Sequence, residues 1–177
     1  MRAFLVIGLS TLLVLGCNTK QKVSPNQKVQ WLSINDVQQK MKESPKKVLI
    51  DIYTDWCGPC KRMSKYTFTN PEIIKVINEH FYAVKFNAES KEDITFLNKK
   101  YMNLGRTHDF ALQIGKTTTM YGSALSYPSI VYFNENFEKI KTIPGFYNSD
   151  EYLLILNFFS KNHYKKMSLE KFFNSNQ

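Results

Sequence analysis

Cys57 and Cys60 frame the segment Trp56-Cys57-Gly58-Pro59-Cys60-Lys61. Two thiols three residues apart on the first turn of a helix can reach each other, so a disulfide can open and close there without large backbone movement. A helix N-terminus places partial positive charge beside Cys57 and favours its thiolate. Cys60 lies further into the helix and is expected to be the more buried. The arrangement points to thiol–disulfide exchange, with Cys57 attacking a substrate disulfide and Cys60 resolving the mixed disulfide. Pro59 fixes φ and donates no N–H, which a first helical turn tolerates. Half of a zinc site also begins with this spacing, but it needs two further soft ligands. The remaining cysteine, Cys17, lies far upstream, and His80, His108 and His163 are dispersed. No metal and no cofactor beyond the cysteine pair itself is therefore expected. A domain that keeps both cysteines but serves mainly for binding is the alternative.

The elements around this pair follow from apolar spacing. Residues 48–53 (VLIDIY) read as a strand buried on both faces, interrupted by the carboxylate of Asp51. A helix is expected from near Cys57 towards Thr67, and Asn70-Pro71 restarts one, with Asn as N-cap and Pro at the first position. Residues 29–32 and 81–86 read as further strands, and residues 33–43 as a helix burying Ile34, Val37 and Met41. Residues 90–101 place Ile94, Leu97 and Tyr101 at helical spacing. Residues 102–126 are less regular, with a short helix over 108–114. Residues 129–133 and 138–143 form a hairpin across Asn134-Glu135-Asn136. A helix over about 149–161 and a short amphipathic turn over 168–173 close the chain. Strands alternating with helices predict an α/β fold with a parallel sheet and an antiparallel edge.

The N-terminus reads as an address. After Arg2, residues 3–15 are almost continuously apolar. Thirteen residues are too few to span a bilayer but suit a signal-peptide core. The run ends in Val14-Leu15-Gly16-Cys17, which resembles a bacterial lipoprotein signal and implies lipidation of Cys17, although Leu15 is bulkier than usual. The expected division is a signal peptide at 1–16, the lipidated Cys17 and a polar tether at 17–28, a domain at 29–163, and a C-terminal extension at 164–177. The compartment is then extracytoplasmic, with the protein anchored in a bacterial membrane facing the periplasm. The formal charge of +9 comes from lysines and arginines scattered along the 177 residues. Without a long basic run or a recognition-helix pattern, nucleic-acid binding is not expected.

Asp51-Ile52-Tyr53-Thr54-Asp55-Trp56-Cys57-Gly58-Pro59-Cys60-Lys61 resembles the active-site region of thioredoxins. The stretch from Asp51 to Ile73 is also similar to the C-terminal periplasmic domain of transmembrane disulfide-transfer reductases. The resemblance implies a thioredoxin fold, a central mixed sheet flanked by helices, over about residues 29–161. It implies that Asp51 accepts a proton from Cys60 during exchange and that Lys85 sits beside that carboxylate. It implies that Tyr127-Pro128 is the cis-proline loop against the disulfide, and that substrate lies across Trp56, Gly58, Pro59, Tyr127, Pro128 and Gly145. Residues 102–126 then form an insertion before the cis-proline loop. Its Gly105-Arg106, short helix and Ser126-Tyr127-Pro128 resemble thioredoxin-like proteins of Bacteroidetes-type bacteria. Such an insertion either rims the substrate groove, with Arg106 and His108 facing substrate, or packs as a surface excursion on its own Phe110, Ala111 and Ile114. The function implied is a monomeric protein-disulfide reductase whose electrons come from a membrane thiol-reducing partner. A disulfide isomerase or oxidase would use the same residues.

Overall fold

The computed structural model describes residues 27–120 and 122–176. Its central sheet has five strands: β1 (Trp31–Leu32), β2 (Lys47–Tyr53), β3 (Phe81–Asn87), β8 (Ser129–Phe133) and β9 (Lys139–Pro144), in the order β1-β3-β2-β8-β9. β1, β2 and β3 run parallel, while β8 runs antiparallel to both β2 and β9. β2 lies at the centre, and this explains its near-continuous apolar run. Leu49 points into one hydrophobic layer, and Val48, Ile50 and Ile52 point into the other.

The first layer is built by α3 (Pro71–His80) and α5 (Ser149–Ser160), and α6 (Leu169–Asn174) packs on α5. α3 starts where Asn70 Oδ1 accepts from the N–H groups of Glu72 and Ile73, with Pro71 at its first position. It buries Ile73, Ile74 and Ile77. Each such side chain contributes on the order of 1.5–3 kcal/mol on leaving water. α5 begins in a capping box formed by Asn148 and Glu151.

The second layer is built by α1 (Ile34–Glu43) and α4 (Asp109–Gly115). α1 starts in a capping box between Ser33 and Asp36 and buries Ile34, Val37 and Met41, as its spacing predicts.

The helix expected over residues 90–101 is not formed. The chain instead makes a hairpin of β4 (Ile94–Phe96) and β5 (Lys99–Tyr101). Leu97 and Asn98 turn it with φ of 49° and 64°, a left-handed pair that suits two-residue hairpins and that Asn tolerates. Gln38 of α1 fixes this turn, accepting from the Leu97 N–H and donating to the Thr95 carbonyl. Phe96 is the side chain that goes inward, against Phe110, Phe133 and Phe137, while Leu97 is left exposed. The helical spacing of Ile94, Leu97 and Tyr101 was therefore coincidental.

The helix covering this part of the sheet comes later. α4 lies inside the expected insertion, and its Phe110, Ala111 and Ile114 are buried with the residues of β2, β3 and β8. The insertion is thus neither wholly a rim nor an excursion packed on itself. Beyond α4, β6 (Thr117–Thr119) and β7 (Gly122–Ala124) form a small hairpin that the sequence did not suggest. Among the described residues, no helix is long and apolar enough to cross a membrane. The expected signal peptide, Cys17 and all but the last two residues of the expected tether lie outside the described residues.

Candidate active site

β2 ends at Tyr53, and the chain turns through Thr54 into α2 (Gly58–Arg62). The Cys57 N–H donates to the Thr54 carbonyl, which closes the turn. Cys57 is the N-cap of α2, and its Sγ accepts from the Cys60 N–H at 3.1 Å. A sulfur facing a free helical N–H is stabilised as the anion, which supports a thiolate at this position once the bridge is reduced. Cys57 and Cys60 form a disulfide, with Cα atoms 5.3 Å apart. The expected difference in burial is absent. Cys57 is 3% exposed and Cys60 4%, because the bridge draws both sulfurs to the same depth in this oxidised state. Gly58 and Pro59 are exposed.

The helix does not continue regularly. A π-helical turn, Met63–Thr67, follows α2 before the restart at Asn70. Ser64 of this turn accepts a hydrogen bond from Lys85 Nζ of β3. Lys85 also lies 3.4 Å from Asp51 Oδ2, as the parallel register pairing Asp51 with Lys85 requires. Asp51 is 2% exposed, and its other oxygen has no protein partner. Burial pushes the Asp51 carboxyl up to about 6, against the opposing pull of Lys85. A cleft of about 320 Å³ lined by Tyr53, Thr54, Cys60, Ser64 and Lys85 runs from the buried cysteine to the lysine of this pair. A larger cleft of about 570 Å³ lies at the opposite end of the sheet, between α1, Leu97-Asn98 and Phe137, remote from the cysteines.

The rim is aromatic. Trp56 is 66% exposed, and its ring meets Tyr127 edge-to-face at 5.8 Å. Its Nε1 donates to Glu89 Oε1, a contact to which the sequence gave no pointer. The Tyr127–Pro128 peptide bond is cis. The Gly145 N–H donates to the Pro128 carbonyl at 2.8 Å, which ties the start of the loop after β9 to the proline loop. Gly145 has φ of +101° with open space where a Cβ would stand, so conformation and not crowding selects glycine here.

The structure brings together Trp56, Cys57, Gly58, Pro59 and Cys60 on one junction, Tyr127, Pro128 and Gly145 in one loop pair, and Asp51 with Lys85 beneath. It does not place His108 at the rim. His108 is fully buried as the N-cap of α4, with Nδ1 accepting from the Phe110 N–H and Nε2 facing the Glu92 carbonyl at 3.1 Å. Both ring nitrogens serve the fold, so the expectation that it faces substrate is corrected. Arg106 is exposed in the loop before α4. That loop does approach the rim, since the Asn103 side chain donates to the carbonyls of Glu89 and Ser90. Among the described residues, no three of His, Cys, Asp or Glu gather into a possible metal site.

A cysteine pair bridged at a strand-to-helix junction of this mixed sheet defines a thiol–disulfide oxidoreductase. The chain belongs to the thioredoxin-like family, for the pattern of a thioredoxin-like domain matches residues 34–160. It is 27% identical over 144 residues to the thiol:disulfide interchange protein DsbD of Haemophilus ducreyi. That match covers 79% of this chain but only 22% of the relative. A thioredoxin-fold protein from Helicobacter pylori is similar in structure, with a TM-score of 0.57, 21% identity, and 74% of this chain and 84% of that one covered. DsbH oxidoreductase superimposes with a TM-score of 0.53 at 14% identity, covering 81% of this chain and 93% of that chain.

Proposed function

We propose that the protein reduces protein disulfides outside the cytoplasm, as a monomer held at a bacterial membrane by lipid on Cys17. The observation that carries this reading is the Cys57–Cys60 bridge at the start of α2, with the buried Asp51–Lys85 pair behind it. In the reduced state the Cys57 thiolate attacks one sulfur of a substrate disulfide. The new bond links Cys57 to substrate, and the departing substrate sulfur leaves as a thiolate. Cys60 then loses its proton to the Asp51 carboxylate and attacks Cys57, which releases the second substrate thiol and closes the Cys57–Cys60 bridge. Lys85 steadies the charge on Asp51. Substrate lies across Trp56, Gly58, Pro59, Tyr127, Pro128 and Gly145, a reading supported by the Trp56–Tyr127 ring contact and the Gly145–Pro128 hydrogen bond.

Each turnover leaves the pair oxidised, and the sequence holds no second pair of the same spacing. The electrons therefore come from a partner. The resemblance to disulfide interchange proteins supports a membrane thiol-reducing system in that role. The reading is tested in cells carrying Cys60→Ser, where resolution is blocked. The variant should accumulate as mixed disulfides joined through Cys57 and identified by mass spectrometry, recovered with membranes and released from them by an added Cys17→Ala change. Absence of adducts, or adducts that persist when Cys57 is also changed to Ser, would overturn the assignment.

A further inference from the structure

Lys85 is held by more than Asp51 and Ser64. Its Nζ lies 5.0 Å from the ring centre of Tyr53, 5.4 Å from that of Trp31 and 5.6 Å from that of Phe68. Each is within the range at which an ammonium is attracted to an aromatic face. The three rings come from β1, β2 and the residue after the π-helical turn, so distant parts of the chain converge on one cation. The rings are themselves fixed. Trp31 meets Phe68 edge-to-face at 5.2 Å, and Phe68 meets Tyr152 in the same way at 5.5 Å. β1 is only two residues long, and its pairing of Trp31 with Ala83 places the indole next to Lys85.

We propose that Trp31 and Tyr53 are positioning residues which, with Phe68, form a three-ring box that holds the Lys85 ammonium against the Asp51 carboxylate. The proposal rests on the reading of Asp51 as the proton acceptor for Cys60, and it says what keeps in place the cation that opposes burial at that group. The Lys85 side chain is 26% exposed and borders an open cleft, so without the rings its long stem is free to swing towards water. Other charged groups on the cleft are Asp55, Lys61 and Lys65. Tyr132 of β8 and Tyr152 of α5 also feel the Asp51 charge, and burial keeps both phenols protonated. The phenol of Tyr53 also faces the Asp51 and Asp55 charges, and Trp31 reaches Tyr152 through Phe68, so the Lys85→Met background is what separates an effect carried by Lys85 from one carried by these neighbours.

The test is the carbon resonance of the Asp51 carboxyl, titrated by NMR in the oxidised full-length protein. Trp31→Leu and Tyr53→Leu should each raise its midpoint by about half a pH unit or more, since a desolvated cation–aromatic contact is of that size. Trp31→Phe and Tyr53→Phe keep a ring face and should leave the midpoint near that of the wild type. In a Lys85→Met background the Leu changes should add nothing, because no cation remains to be held. Tyr53 is at the strand end and only half-buried, so its variant reports even if Trp31→Leu does not fold. An unmoved midpoint in the Leu variants, or a rise that persists in Lys85→Met, would contradict the box. The exchange rate against pH is measured alongside. A profile that ignores Asp51→Asn would sink the proton-acceptor reading while leaving the box intact.

Discussion

Asp51 is a charge that the apolar centre of β2 resists, and its consequences can be worked out by sign. Its folded carboxyl titrates at about 6, above the ordinary 3.8, with burial as the main cause. The folded state therefore holds the proton more tightly than the unfolded chain does. Stability from this group is full below the ordinary value, falls as pH rises between the two values, and is lost above the folded one. Asp51→Asn removes that loss. It should raise stability by about 1–3 kcal/mol near pH 8 and by little near pH 4. Urea denaturation at the two pH values checks this, and an equal change at both would contradict it. The same variant should slow disulfide exchange by roughly a hundredfold or more. Much of this residue-scale chemistry was legible in the sequence. The cysteine spacing fixes one end, and a carboxylate in an apolar strand marks the other. Lys85, which the parallel register of the fold sets beside Asp51, was reachable only through the family resemblance. The box around it was not, since Trp31, Tyr53 and Phe68 meet only through three separate elements. His108 misled for a related reason: the short helix over 108–114 was expected, but only the packed structure shows its first side chain turned inward to cap it.

At the scale of elements, local chemistry was reliable where a cap or a proline announced it. Ser33, Asn70, Asn148 and Ser168 each begin a helix as their types suggest. Residues 90–101 show the opposite case. Three apolar residues fit a helical period, but a left-handed Leu97-Asn98 turn and its bonds to Gln38 make a hairpin. That turn depends on a partner helix more than fifty residues away, so no local window contains the decision. The hairpin's Phe96 and the helix α4 then share one aromatic cluster around Phe110. Residues 102–126 therefore support the core, approach the rim at Asn103 and lead directly into Tyr127. Phe110→Ala should destabilise the protein by about 3–5 kcal/mol, because the ring is fully buried among other aromatics. A shift in the urea midpoint measures it. A loss below about 1 kcal/mol would mean that α4 is an ornament on the sheet and not part of its core.

At the scale of the molecule, one sheet organises both halves of the account. Its central strand delivers the cysteine junction and the buried carboxylate, and its antiparallel strand β8 begins at the cis-proline loop beside them. The junction and its loop lie at one end of the sheet, away from the larger cleft at the other. The family relationship and the bridged pair make the chemistry thiol–disulfide exchange. The direction of electron flow is the central claim of the proposed function, and it is a property of the whole domain, because every group near the sulfurs moves the potential. Gly58-Pro59 between the cysteines is the pairing found in thioredoxin, a reductant. The equilibrium reduction potential of the Cys57–Cys60 pair, measured in thiol redox buffers by alkylation and mass, tests the claim most directly. A reductase should give a value near that of thioredoxin, about −270 mV, whereas a value near about −120 mV would make the protein an oxidant and overturn the proposed direction.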